Sequence, residues 1–284
     1  MRTLLVNLEI SPVLDSVLQC ALLVAQRFGG YIEGLHMRPG HPDVIAAGAD
    51  GFVAAAPDLV ASFERDARDR AEHARSLFEE FVTRHGLPRP GVSATDRITA
   101  DWRVETSSGH GAIGSLGRVF DMVVAGRPLP DALSPSMAAL ESALFEAGRP
   151  VLIAPPVAPE KLGENIVIAW NGSTETARTL GFVMPFLEQA QKITVVTVLK
   201  GNVPGPTAAE LARNLQRSGL DVHWRETDPR DRSVGQAILD ESADLGADLI
   251  VKGAYTQSRL RQMIFGGATS HILAEATVPV VMAN

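Results

Sequence analysis

Two stretches of the chain repeat the same order of apolar runs and helical patterns, and this duplication restricts the fold more than any other feature. Thr3 to Leu8 and Ile166 to Trp170 are apolar runs, each followed by a turn and an amphipathic segment. The motifs that end these runs, LEIS and WNGS, place Glu9 and Asn171 at equivalent positions. Because the matched segments keep a fixed order, the sequence predicts two copies of one structural unit.

The later segments match in the same order: WRVET with VHWRET, FDMVVAGRP with ADLIVKGAY, and RPVLIAPP with VPVVMAN. Short apolar runs alternate with helical patterns in both copies, which predicts parallel sheets covered by helices on both faces. The expected fold is therefore α/β, with two doubly wound, Rossmann-like domains in tandem, related by a pseudo-twofold axis. Residues 1–157 form the first domain and residues 164–284 the second, and the proline-rich Pro155 to Glu164 links them.

The strands that close the two copies, VLIAP and VVMAN, are both apolar. An exposed apolar edge strand promotes aggregation, so we expect these two strands to pair with each other. The predicted pairing is antiparallel and joins the two sheets into an intramolecular pseudo-dimer.

The first copy contains a long insertion, residues 39–89, and the matching segment of the second copy, Ala208 to Ser218, is shorter. Pro39 to Pro57 is rich in Gly, Ala and Pro and is predicted to be a loop. Leu59 to His85 has apolar residues along one stripe and is predicted to be a charged amphipathic helix. Its charged side is interpreted as a solvated face, with partner docking as the alternative.

The bulk composition excludes several classes of protein. The net charge of −7 argues against a nucleic-acid partner, since no basic face offsets it. The single cysteine, Cys20, excludes an internal disulfide framework and favours a reducing compartment. No apolar stretch reaches about 18 residues, so no membrane span is expected. These features together predict a cytoplasmic protein.

The C-terminal stretch carries a glycine pattern typical of an anion site. Gly253 ends an apolar run, and Gly266 and Gly267 come just before Thr269 and the last helical pattern. Glycines at a strand end and before a helix leave backbone N–H groups exposed at the positive end of the helix dipole. Phosphate is the anion that such groups commonly bind.

This stretch resembles the C-terminal signature of the universal stress protein family, in which spaced glycines and a hydroxyl residue cradle ATP. The first and third glycines of the signature fall on Gly253 and Gly266. Thr256 stands at the second glycine, and Gly267 stands at the hydroxyl position, for which Thr269 could substitute. The chain is thus identified as a tandem member of the family. The residues that the resemblance assigns to a nucleotide are Asn171, Gly172, Ser173, Val198, Gly253, Thr256, Gly266, Gly267 and Thr269.

In the family, an aspartate at the end of the first strand contacts the adenine or ribose, and Asn171 falls there. Its amide could hydrogen-bond a base or a ribose hydroxyl. The alternative is structural: Asn171-Gly172 would form the strand-to-helix turn, with Ser173 as the helix cap. The first copy lacks the glycine pair and has prolines in or beside the loop, which remove backbone donors, so it is expected to be degenerate.

The resemblance implies a stress-response protein that binds ATP or AMP in its C-terminal half, with Mg²⁺ as an accompanying ion. It would act through nucleotide-dependent conformation or through a protein partner, and it could also form a homodimer. No arrangement of acids, bases and nucleophiles indicates catalysis. A nucleotide-free interaction or scaffold protein on the same fold is the alternative from another class, and a slow nucleotide hydrolase is the third.

Overall fold

The structure is a computed structural model and describes residues 1–39, 46–48, 51–53, 57–91, 97–107, 112–129, 135–254 and 267–284. The elements of the first half are β1 (Thr3–Asn7), α1 (Leu14–Phe28), β2 (Tyr31–Pro39), β3 (Ala46–Gly48), β4 (Gly51–Val53), α2 (Pro57–Arg84), β5 (Thr99–Ser107), α3 (Ala112–Gly117), β6 (Met122–Gly126), α4 (Met137–Glu146) and β7 (Val151–Ala154). Those of the second half are β8 (Asn165–Ala169), α5 (Thr174–Glu188), β9 (Lys192–Val198), α6 (Ala208–Arg217), β10 (Val222–Thr227), α7 (Val234–Asp244), β11 (Leu249–Gly253), α8 (Ala268–Glu275) and β12 (Val280–Ala283).

Ten of these strands form one sheet, in the order β10-β9-β8-β11-β12-β7-β6-β1-β2-β5. All pairs within each half are parallel, and each half has its first strand at the centre, as in doubly wound folds. The central strands are buried along their length because helices cover both faces, which explains their continuous apolar sequences. The predicted fold class is confirmed.

The two half-sheets meet at β7 and β12, the strands that close the two copies. They pair antiparallel, with Leu152 opposite Val281, Ile153 opposite Val280 and Val151 opposite Met282. This confirms the predicted pairing of VLIAP with VVMAN. Buried apolar residues continue across the junction on each face of the sheet, so the halves share their hydrophobic cores.

A pair of equivalent aspartates fixes the start of each half. The carboxylate of Asp121 accepts hydrogen bonds from the backbone N–H groups of Arg2 and Thr3, at 2.6 and 3.1 Å. Asp248 does the same in the second half, accepting from Gly163 at 2.8 Å and from Glu164 at 3.0 Å. The second interaction ties the end of the Pro155–Glu164 segment to the amino end of β11, and the repeated contact is independent evidence for the duplication.

The insertion contains the expected helix and an unexpected hairpin. Helix α2 buries a stripe that includes Ala67, Ala74, Phe78 and Phe81, while its charged residues face outward, as predicted. The segment predicted as a loop contains the antiparallel strands β3 and β4. Strands of three residues are too short to show a periodicity in the sequence.

Candidate functional site

A cavity of about 50 Å³ lies at the carboxyl ends of β8, β9 and β11. It sits where the chain, having run outward from β8 to β9 and β10, returns to the other side of β8 at β11, the usual ligand position in such sheets. Most of the residues that line it are apolar, and Asn171, Asn202 and Lys252 add polar groups. The residues that line it are Ala169, Trp170, Asn171, Val196, Val198, Gly201, Asn202, Val234, Ile238, Lys252 and Ala268. Asn171 and Val198, two of the residues predicted to bind a nucleotide, both line this cavity.

The segment Asn171-Gly172-Ser173 forms the turn into α5. The Asn171 carbonyl Oδ1 accepts hydrogen bonds from Ser173 N at 3.2 Å and Thr176 Oγ1 at 2.8 Å. Gly172 has φ +80°, which favours glycine, and the Ser173 hydroxyl caps α5 by accepting from Thr176 N at 3.2 Å. The structural alternative therefore holds for all three residues. The Asn171 amide Nδ2 has no acceptor in the described part of the chain and remains available to a ligand.

Packing requires glycine at position 253, which the sequence did not indicate. A Cβ atom at this position would lie 2.4 Å from the backbone nitrogen of Thr176 and 2.8 Å from its Oγ1. The end of β11 therefore contacts the first turn of α5 so closely that only glycine fits. Gly253 positions α5 against the sheet, whatever it also contributes to a ligand.

Helix α8 begins beside the cavity, after Gly267. Gly267 is exposed, has φ +92°, and makes no side-chain cap to the helix, so a serine there would be strained. Thr269 is buried in the first turn of α8 and its Oγ1 faces β11. Of the other predicted residues, Thr256 and Gly266 lie outside the described part of the chain.

Lys252 is the site residue that sequence reasoning missed. It is 9% exposed and lines the cavity, and its Nζ donates to Thr269 Oγ1 at 2.7 Å and to Gly253 O at 2.8 Å. Desolvation lowers the pKa of Lys252 to about 8. The available signal was one lysine inside an otherwise apolar strand, DLIVKG.

The first half has a different arrangement at the equivalent place. Glu9, the counterpart of Asn171, accepts hydrogen bonds from Asn7 Nδ2 at 2.8 Å and from the backbone N–H of Ser136, at 3.1 and 3.2 Å to its two oxygens. Ser136 is the N-cap of α4, which corresponds to α8. Burial raises the pKa of Glu9, and these two hydrogen bonds act in the opposite direction. The chain's own carboxyl group therefore lies at the helix start that would face a phosphate.

We expect Glu9→Ala to lower the free energy of unfolding by about 1–2 kcal/mol, because the amino end of α4 loses its acceptor. Glu9→Gln is the matched control, since it keeps a carbonyl oxygen for Ser136 N–H and should cost less than half as much. Urea unfolding of the three proteins measures both values. An alanine variant as stable as the wild type would show that the contact contributes nothing.

The described residues were also compared with what a membrane span and a metal site require. None of their helices is long and apolar enough to cross a membrane. In the same residues, no group of three or more His, Cys, Asp or Glu side chains is placed to hold a metal ion.

The C-terminal part of the chain is similar to a known protein family. Residues 163–284 match the model of the universal stress protein family. The stress response protein NhaX of Bacillus subtilis (strain 168) is 30% identical over 74 residues, which are 26% of this chain and 42% of that protein. The matched part thus spans less than half of that relative's length.

Two solved structures extend the likeness to the whole chain. A universal stress protein from Archaeoglobus fulgidus DSM 4304 superposes with a TM-score of 0.72 at 14% identity, covering 99% of this chain and 96% of that one. A functionally unknown protein from Pseudomonas aeruginosa PAO1 gives a TM-score of 0.56 at 16% identity, covering 100% and 92%. At these identities the likeness shows a shared fold.

Proposed function

We propose, from the premise that residues 163–284 belong to the universal stress protein family, that this is a stress-response protein that binds an adenine nucleotide in its C-terminal half. The nucleotide is ATP or AMP, with Mg²⁺ accompanying its phosphates. The protein would work in the cytoplasm, through a nucleotide-dependent conformation or a protein partner that recognises it. The pseudo-dimeric chain could also form a homodimer, whether it acts through its conformation or through a protein partner.

The observation that carries this proposal is the cavity at the carboxyl ends of β8, β9 and β11. Its apolar walls, formed by residues such as Ala169, Val198 and Ile238, suit the faces of a purine base. The Asn171 amide, which lines the cavity, offers a donor to the base or ribose. Helix α8 starts beside the same cavity, without a side-chain cap from the described residues, and its first N–H groups suit a phosphate.

The two halves support one site per chain rather than two. In the second half, Lys252 lines the cavity, whereas Ala125 stands at the equivalent position of β6. In the first half, the Glu9 carboxyl group lies against the start of α4 and would repel a phosphate. This asymmetry favours nucleotide binding in the C-terminal half only.

We expect calorimetric titration with ATP to give one equivalent per chain, and mass spectrometry of the denatured protein to detect a co-purifying adenine nucleotide. Ala169→Val adds two carbon atoms inside a cavity of about 50 Å³ and should weaken ATP binding at least about tenfold. Ala177→Val, the same change at an exposed position of α5, should leave binding unchanged. Each titration is run with and without Mg²⁺.

Two outcomes would contradict the proposal. Two equivalents per chain would mean that the first half also binds nucleotide. No binding and no co-purifying nucleotide would favour the scaffold protein on the same fold. A separate outcome, turnover of ATP at one equivalent, would favour the slow hydrolase.

A further inference from the structure

Lys252 is a buried cation that lines this cavity and has no counter-charge among the described residues. Lys252 alternates with its neighbours along β11, so its side chain lies on the α7 and α8 side of the sheet, with Ile250. The ammonium group has three N–H donors, and only two of them have acceptors in the described part of the chain, Thr269 Oγ1 and Gly253 O. Both acceptors are neutral. Burying an ammonium ion with neutral partners costs free energy that a structural role alone does not explain.

The position of the ammonium group makes this cost larger. Thr269 belongs to the first turn of α8, so Nζ lies at the positive end of the helix dipole. A cation is unfavourable there, and an anion is favourable. Two positive groups that converge on one cavity are stabilised together by a bound anion and destabilised by its absence.

Two acidic groups of the neighbouring helix α7 are engaged with other residues. On α7, Asp240 contacts Arg232, and Glu241 pairs with Arg225 at 2.9 Å. No ion pair joins Lys252 to a carboxylate of the described residues, and desolvation alone shifts its titration. The other titratable groups of α5, α7 and α8 are Glu175, Arg178, Glu188, Asp244, His271 and Glu275, and among the described residues none of them pairs with Lys252. The sequence that follows, from Tyr255 to Gly266, contains two arginines and no acid.

The first half of the chain provides an internal comparison for Lys252 and the start of α8. At the position of Lys252 it has Ala125, and at the start of its equivalent helix it has the carboxyl group of Glu9. The acceptor that satisfies the helix start is therefore part of the chain in the first half. In the second half the described residues place a cation and no carboxylate at the helix start, an arrangement that suits the negative charge of a ligand.

We propose that Lys252 is an anion-binding residue, whose ammonium group contacts a phosphate of the ligand at the start of α8. As far as the anion is the phosphate of an adenine nucleotide, this inference rests on the proposed function. Lys252 is then the residue of the site that distinguishes a nucleotide from its nucleoside. Lys252 lets the cavity select phosphorylated ligands over neutral ones of the same base.

The test compares ATP, adenosine and inorganic pyrophosphate on the full chain by calorimetry at constant pH. Lys252→Met keeps the length and apolar stem of the side chain and removes its charge. It should weaken ATP binding by about tenfold or more and leave adenosine affinity within about twofold. Lys192→Met removes the same charge at the exposed amino end of β9, and it should change neither affinity.

The outcomes separate this inference from the proposed function. ATP affinity that stays within about twofold in Lys252→Met overturns the inference and leaves nucleotide binding intact. Equal losses for ATP and adenosine also overturn it, because they would indicate a changed cavity rather than a lost charge. If no adenine compound binds but pyrophosphate binds in a Lys252-dependent way, the inference holds and the nucleotide proposal fails. If none of the probes binds, both fail.

Discussion

Gly253→Ala is expected to lower the free energy of unfolding by about 3 kcal/mol in the absence of any ligand. The new Cβ would lie 2.4 Å from the backbone nitrogen of Thr176 and 2.8 Å from the carbonyl carbon of Glu175. Backbone atoms cannot rotate away, so the first turn of α5 must move off the sheet. Chemical denaturation of nucleotide-free protein measures the change.

Gly181→Ala is the matched control, and it should have the opposite sign. Gly181 is exposed within α5, and a Cβ there would meet nothing within 4 Å. Removing glycine from a helix interior stabilises by roughly 0.5–1 kcal/mol. A Gly253→Ala protein as stable as the wild type would mean that α5 tolerates displacement. Loss of nucleotide binding in a Gly253 variant would not by itself assign a phosphate contact to this glycine.

Lys252→Met is expected to raise the free energy of unfolding by up to about 3 kcal/mol at pH 7 in ligand-free protein. The pKa of Lys252 falls from 10.5 in the unfolded chain to about 8 in the fold, and each unit corresponds to about 1.4 kcal/mol. Below pH 8 the folded state holds a buried ammonium ion and is destabilised by it. Loss of the hydrogen bond to Thr269 offsets part of the gain.

The stability of the wild-type protein should depend on pH through Lys252. Between pH 8 and pH 10.5 the unfolded chain binds the lysine proton and the folded chain does not, so wild-type stability rises with pH in that window. The methionine variant lacks this rise, and the two proteins should converge above pH 10.5. Lys192→Met should run parallel to the wild type. A methionine variant that is less stable than the wild type at pH 7 would contradict the prediction.

The two predictions together describe how the site is built. Gly253 is determined by packing, and its neighbour Lys252 opposes stability, so adjacent residues of one strand serve the fold and the cavity respectively. A group that destabilises the free protein while lining a cavity is typical of a binding site. Substitutions of Lys252 that raise the free energy of unfolding of the free protein should therefore lower its affinity for an anion.

The sequence by itself determined the tandem α/β architecture and the junction between the halves. Matched segments in a fixed order fix the element order, and continuous apolar runs indicate strands covered on both faces. The pairing of β7 with β12 followed because two apolar edges must be covered. These properties depend on patterns of residues along the chain, which the amino-acid sequence contains.

Only the tertiary structure decided what each site residue contacts. Three of these contacts join residues from different elements. Gly253 lies against Thr176, Asn171 Oδ1 accepts hydrogen bonds within a turn, and the carboxyl group of Glu9 lies at the start of α4. Lys252 appeared in the sequence only as a charged residue in a strand. Its burial, its neutral partners and its place beside α8 depend on how β11, α7 and α8 pack, and the energy of a buried charge is set by that surrounding rather than by its position in the chain.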